Sequence, residues 1–451
     1  MTPNVSRAHV LREGRMLVGG LESLVSPYGL VGQVARLSIA DGEPRFPVVS
    51  GSVGNLGAVL DMQVGLAAHD PGMGNIDGAG GDLDPERAAF LAIAESLERY
   101  SSCAWRPERM VWASAHDLGV DLSRWPACSP AELADPDSTL LAPDPDGPMR
   151  WVEGWSLTHD RPTYVPALLA WLKNPPQSRA ERFAHMVSTG CATHTDPVAA
   201  VVGGLLEVVE RDAITLAWLH RLRLPRLEVR PGELSADQEA AVARGTVQHL
   251  RMELFDATTD LGIPVVYGLQ LADHDPALAQ LVSATCDPDP GRAVAKLYRE
   301  ATSVRIALRS MIATGARDYA GDSISVVAGA LRMGRREQRS RFGFLLDGDR
   351  PTHSLADLPR PPSTAPVAVL RWLLERLTAR GCEVIVVDLT TDEAAQAGST
   401  VVHVLVPELM PLSFDPHARY LAHRRLYDGP ARMGHPVLVE EELNRDPQPF
   451  A

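Results

Sequence analysis

Residues 85–99 read PERAAFLAIAESLER, opening on Pro85 and closing on Glu95, Glu98 and Arg99 in the spacing E-x-x-E-R. Phe90, Leu91, Ile93, Ala94 and Leu97 recur at helical spacing, and Asp84-Pro85 supplies an N-cap followed by proline at the first helical position. This predicts a helix with a buried apolar face and two carboxylates side by side, because positions i and i+3 are neighbours on a helix. The figure returns 112 residues later as PVAAVVGGLLEVVER, where Asp196-Pro197 precede Glu207, Glu210 and Arg211. A partial third copy, PGRAVAKLYREATSVR, again sets proline (Pro290) ten residues ahead of a glutamate, Glu300, with Lys296 between them. A period this long fits an internal duplication and is too long for a solenoid.

Two like charges at the edge of a core are costly unless something neutralises them. A divalent cation does so, and magnesium prefers a few carboxylates, waters and phosphate oxygens. Glu95, Glu98, Glu207, Glu210 and Glu300 are therefore read as one anionic pocket for magnesium and a nucleotide. Arg99 and Arg211 would face the phosphates, where a planar guanidinium fork is useful. The plainer reading of a single copy is a solvated helix end with surface ion pairs of little energetic worth. Three copies with one proline offset favour the shared pocket. A di-iron site would use E-x-x-H and a hydrolytic zinc site H-E-x-x-H, and the helices carry neither.

Other candidates are less distinctive. Cys191 in STGCATH, near His194, has the residue types of a nucleophile and base, but also those of a small buried thiol in a turn. Ser188 and Thr189 precede Gly190 and could touch a phosphate or ribose, or simply form a turn. His403, in an apolar run, reads as a satisfied core histidine. The glycines of 69–85, HDPGMGNIDGAGGDLDP, lack the G-K-S/T of a P-loop and read as a loop able to approach a ligand or as a plain turn region.

The chain has 451 residues and a net charge of −14, from 43 basic and 57 acidic residues. That balance, without a basic stripe, argues against a nucleic-acid binder. Five scattered cysteines with no C-x-x-C fit a reducing, cytoplasmic setting. Neither a signal peptide nor an apolar run of roughly 18 residues is present, so no membrane role is expected.

Strands are expected in LVGQVARLSI, in a hairpin over 149–172 turning at THDRP, in 262–272 and 278–286, and in EVIVVDLT and STVVHVLVPELMPLSF. A strand and a helix are expected after residue 222, then a helix carrying QHLRMELFDATTDLG, and an amphipathic helix over 367–382 ending at Gly381. The polar 317–365 segment reads as a lid or mobile insertion. Interleaved helices and strands give a mixed α/β (α+β) class.

AESLERY, STGCATHTDPVAAVVGGLLEVVERDA, the W-x-x-G-x-S-L hairpin, the D-P-x-x-A-x-x-x-x-x-x-E third helix, VVDLT, VVHVLVPELMPLSF and the closing NRDPQPFA together resemble the YcaO superfamily, and its azoline-forming cyclodehydratases most. The resemblance covers about residues 21–451, leaving 1–20 as a lead segment. It implies a YcaO-like fold around an ATP cleft and an enzyme that phosphorylates a backbone amide oxygen after a nucleophile adds to the carbonyl. With Cys, Ser or Thr as nucleophile, the product is a thiazoline or oxazoline. Thioamide and macroamidine formation, or a non-catalytic docking role, are the alternatives. Glu95, Glu98, Glu207, Glu210 and Glu300 would hold Mg2+-ATP, with Arg99, Arg211, Lys296 and Thr189 beside it, while Pro449 and the carboxylate of Ala451 would handle protons. The implied partners are a ribosomal precursor peptide and a separate leader-peptide-binding protein of the ubiquitin-activating-enzyme-like type, with a homodimer as the assembly allowed. The sequence departs from the family pattern at Ala92, at Val304, in the GAG of 78–80 and in its P-x-P-x-A tail.

Overall fold

The computed structural model describes residues 18–54, 77–313, 315 and 327–450. Three sheets carry the site. The first is β1 (Gln33–Arg36), β2 (Val48–Ser52) and β3 (Gly78–Gly81), antiparallel in that order. Outward from the edge β4 (Met110–Ala113), the third sheet runs β5 (Met149–Ser156), β13 (Ile385–Asp388), β14 (Thr400–Leu405) and β7 (Cys191–His194), with β6 (Arg161–Pro166) on the other side of β5. The second sheet is ordered β11 (Gln280–Cys286), β10 (Val265–Leu271), β9 (Arg251–Asp256), β8 (Arg226–Glu228) and β12 (Thr352–Ser354).

One edge strand of each sheet leads into one of the carboxylate helices. β3 feeds α1 (Pro85–Cys103), β7 feeds α2 (Pro197–Leu219) and, past α3 (Ala236–Gly245), β11 feeds α4 (Pro290–Ala313). Each helix starts as the sequence predicts. An aspartate Oδ1 accepts the backbone N–H two residues on: Glu86 to Asp84 at 3.0 Å, Val198 to Asp196 at 2.8 Å and Gly291 to Asp289 at 3.0 Å. Each helix packs on its own sheet and also touches the next unit's edge strand: α1 meets β7, α2 meets β11 and α4 meets β3. The three strand–helix units thus close a ring, and the carboxylates point into its centre.

The glycines before α1 serve this packing, and Gly80 and Gly81 also line the cavity described below. A Cβ at Gly80 would lie 2.1 Å from the Ala88 carbonyl oxygen, and one at Gly78 2.5 Å from that of Ala92. β3 therefore rests directly on the α1 backbone, which only glycine permits. The part of that glycine passage before Asp77 lies outside the described residues.

Three other expectations change. RMELFD forms β9, not a helix, because pairing with β10 on one side and β8 on the other overrides the helix-forming Met, Glu and Leu. The expected lid is partly scaffold. α5 (Ala328–Met333) buries Leu331 and Met333, Leu355 and Leu358 are core, and β12 pairs in parallel with β8. Residues 316–326 of that segment fall outside the described residues. The final apolar run is strand only over Thr400–Leu405. The 149–166 hairpin, β10, β11 and the helix α6 (Pro366–Thr378) form as expected. Among the described residues no helix is long and apolar enough to cross a membrane.

Candidate active site

A cavity of about 1190 Å³ opens where the three units meet, and Glu95, Glu98, Arg99, Thr189, Glu207, Glu210, Arg211, Lys296 and Glu300 all line it. Nine of the sequence-assigned residues therefore share one site. The edge strands explain how the glutamates are held, because an edge leaves backbone N–H groups without strand partners. Ala79 N–H donates to Glu95 at 2.9 Å, Gly190 N–H to Glu207 at 3.1 Å and Cys286 N–H to Glu210 at 2.8 Å. Arg99 returns to Glu95 and Arg211 to Glu207, each at 3.2 Å across one helical turn. Lys296 lies 3.4 Å from Glu300.

The five glutamates share the cavity wall with Asp77, Asp287 and Asp415 and with five cations, Arg99, Lys173, Arg211, Lys296 and Arg299, so carboxylates outnumber cations eight to five. Burial raises the Glu98 carboxyl well above its usual range, with Cys191 and Glu207 adding to the effect. Burial likewise raises Glu210 to about 7, against the pull of Arg211 and Lys296. Two groups are left unpaired. Among the described residues nothing donates to the Glu98 carboxylate. Arg211 Nη1, buried and 3.0 Å from Glu210 but misaligned with it, has no hydrogen-bond acceptor. An acidic set that lines one cavity with a spare carboxylate and a guanidinium N–H short of an acceptor fits a divalent cation and a phosphate.

The remaining candidates sort themselves. Cys191 is buried and burial pushes its thiol up to about 12, while the nearby His194 Nδ1 accepts the Asp196 N–H, so no nucleophile–base pair forms. His403 is buried between two carbonyls, Ala170 at 2.8 Å and Thr189 at 3.0 Å, as a core histidine. Ala92 is fully buried beneath β3 and off the cavity wall, whereas Val304 is on it. The tail docks on α2: Asn444 N–H donates to Leu219 O at 2.8 Å and Trp218 Nε1–H to Asp446 O at 3.1 Å. Pro449 is buried away from the wall and Ala451 lies outside the described residues. Phe450 is the tail residue that enters the cavity, its ring 4.5 Å from the Arg211 guanidinium. Sequence reading missed it, and also missed His185, Asp415 and Tyr420 on the same wall.

Residues 79–410 match the YcaO cyclodehydratase family model, described as ATP- and Mg2+-binding. The chain belongs to the YcaO family. ATP and Mg2+ are accordingly its cofactors. This YcaO chain is 28% identical over 348 residues to an uncharacterized protein in the tfuA 3' region of Rhizobium leguminosarum bv. trifolii, covering 73% of this chain and 76% of that one. It is 29% identical over 346 residues to an uncharacterized protein of Methanothermobacter thermautotrophicus strain Delta H, covering 75% and 82%.

Among solved structures, its fold matches a heterocyclase in complex with substrate and cofactor, at a TM-score of 0.75 and 21% identity over 99% of this chain and 57% of that one. The heterocyclase TruD gives 0.60 and 23% over 82% and 51%. The YcaO protein from Methanopyrus kandleri bound with AMPPCP and Mg2+ gives 0.54 and 22% over 83% and 86%. The chain thus spans little more than half the length of the first two heterocyclases.

Proposed function

We propose that this chain activates backbone amides of a ribosomal precursor peptide with Mg2+-ATP, closing Cys, Ser or Thr onto the preceding carbonyl to give thiazoline or oxazoline rings. The observation that carries this reading is the three-helix carboxylate ring in a cavity far larger than its glutamates occupy. Leu172, Met186, Val187, Leu412 and Phe414 also line it, an apolar surface suited to an extended peptide. Two of the matched solved structures are described with substrate, one with a cofactor and one with pro-MccB17 bound to McbBCD. They support a peptide substrate and a protein partner, here taken as a separate leader-binding protein.

Glu95, Glu98, Glu207, Glu210 and Glu300 would hold Mg2+, with Arg99, Arg211 and Lys296 toward the phosphates and Thr189 beside them. When bound, Mg2+ would neutralise charge that builds on the transferring phosphoryl group. The protein's own part is positioning. The edge-strand N–H groups fix three glutamates, and the arginines, anchored to Glu95 and Glu207, present fixed positive charge without reorganising. Phe450 lies over the Arg211 guanidinium. Burial keeps the nearby Cys191 and Cys286 thiols protonated, so they do not compete as nucleophiles.

The test is mass spectrometry of Cys-, Ser- or Thr-bearing peptides incubated with the protein, a leader-binding partner and Mg2+-ATP. Loss of one water per ring with thiol consumption supports the assignment. A gain from exchanging oxygen for sulfur would replace it with thioamide formation, and water loss with an unmodified side chain and a consumed N-terminal amine with macroamidine formation.

A further inference from the structure

On the wall of the same cavity, two residues 230 positions apart meet. His185 Nε2 lies 2.8 Å from Asp415 Oδ2. Asp415 is 4% exposed and its other oxygen accepts the His417 backbone N–H at 2.8 Å, so the carboxylate is fixed. The loop behind it is tied by Ser413 Oγ, which donates to Ala418 O at 2.6 Å and accepts the Asp415 N–H at 3.2 Å. The His185 backbone N–H donates to the Tyr420 hydroxyl at 2.9 Å, and Tyr420 holds φ at +59°, an uncommon backbone for a bulky residue. Strain of this kind persists only where the surroundings over-determine it.

With Nε2–H given to Asp415, the His185 lone pair is on Nδ1, for which no described residue offers a partner. His185, Val187, Thr189 and Tyr420 also line a small, largely apolar side cavity of about 70 Å³. His185 therefore lines both the large cavity and a pocket of side-chain size.

We propose that His185, oriented by Asp415, is the general base of the reaction. This rests on the amide-activation reading above. Nδ1 takes the proton of the attacking thiol or hydroxyl as its S–C or O–C bond forms and the carbonyl electron pair moves onto oxygen, which then accepts the phosphoryl group of ATP as ADP leaves. The C–O bond then breaks, and the imidazolium returns that proton to the departing phosphate. The amide N–H proton leaves to solvent as the C=N bond forms. Asp415 stabilises the imidazolium and fixes the tautomer, the logic of a nucleophile–histidine–carboxylate relay. Facing the pair are Tyr420, whose phenol burial keeps neutral, and His417, whose pKa its bond to Asp135 raises. Burial opposes the Asp415 charge, but bonds from His185 and His417 hold its pKa below the ordinary value. Lys173 stands on the same wall.

Two measurements test this on the full chain. The first needs no peptide: the ring-nitrogen spectrum of 15N-histidine protein, assigned with His185→Gln. A lone pair on Nδ1 that Asp415→Asn abolishes is expected; a protonated Nδ1 in the neutral ring of the unaltered protein overturns the dyad. The second uses a synthetic Cys-containing peptide that the unaltered protein cyclises with partner and Mg2+-ATP. In His185→Ala, kcat should fall about a hundredfold or more, with KM for Mg2+-ATP within about twofold and the acidic limb of the pH profile gone. Added imidazole should restore part of the rate. A kcat within about threefold of the unaltered protein, or an unchanged pH profile, overturns the proposal. Failure of the unaltered protein to bind Mg2+-ATP would instead sink the amide-activation reading, and the tautomer would still judge the dyad.

Discussion

Helices α1 and α2 carry the same E-x-x-E-R figure, yet their surroundings finish them differently. On α1, Glu95 has Ala79 N–H and Arg99, but among the described residues Glu98 has no donor. On α2, Glu207 has Gly190 N–H and Arg211, and Glu210, only 4% exposed, has Cys286 N–H from the next sheet. Arg211 is also closer packed than Arg99, at 19% against 31% side-chain exposure, and it alone lies under Phe450. The cause is position in the ring: α2 lies between two sheet edges whose N–H groups both find its carboxylates. α2 is thus a finished wall, whereas the Glu98 carboxylate on α1 has no donor among the described residues.

The sharpest way to break this contrast is at the second glutamate of each helix. Glu98→Gln should cost about 10²–10³ in Mg2+-dependent turnover, several kcal/mol of metal-borne stabilisation, with little change in thermal midpoint. Glu210→Ala should lose comparable turnover and also about 1–3 kcal/mol of stability, because Cys286 N–H is left buried without an acceptor. Denaturant titration beside the rate assay separates the two; equal stability losses would erase the distinction.

Gly80→Ala probes the α1 wall from beneath. Its Cβ would meet the Ala88 carbonyl at 2.1 Å, so β3 must lift, costing about 1–3 kcal/mol by thermal unfolding. Next come the arginines. Arg211→Lys should raise KM for Mg2+-ATP about tenfold, the worth of one charge-assisted hydrogen bond, and Arg99→Lys by less. Steady-state kinetics would contradict the ranking if Arg99 proved the more sensitive. Smallest is Phe450→Leu, which removes a ring–guanidinium contact of about 0.5–2 kcal/mol. A few-fold drop in kcat/KM is expected, and none if the ring is idle.

Much of this site was legible because local signals coincided. Asp84-Pro85, Asp196-Pro197 and Asp289-Pro290 set the helix starts, and the proline-to-glutamate offset put the carboxylates at matching depths. What was not legible depends on strands meeting helices distant in sequence. The glycines of β3 look like a ligand loop until α1 is laid against them. RMELFD looks helical until β10 and β8 flank it. His185 and Asp415 carry no local motif, since one lies within the irregular segment that leads to β7 and the other sits in a loop after β14. Phe450 went unnoticed beside the prolines, although a terminal aromatic near a cavity of arginines is a signal that could have been weighed.

The central claim, that the three-helix ring binds nucleotide through magnesium, is tested most directly by isothermal titration of ATP into the protein with Mg2+ or with EDTA, for the unaltered chain and Glu98→Gln. The expected result is one site per chain that needs Mg2+ and weakens at least about tenfold in Glu98→Gln. Binding of equal strength in EDTA, or unchanged by Glu98→Gln, would contradict it.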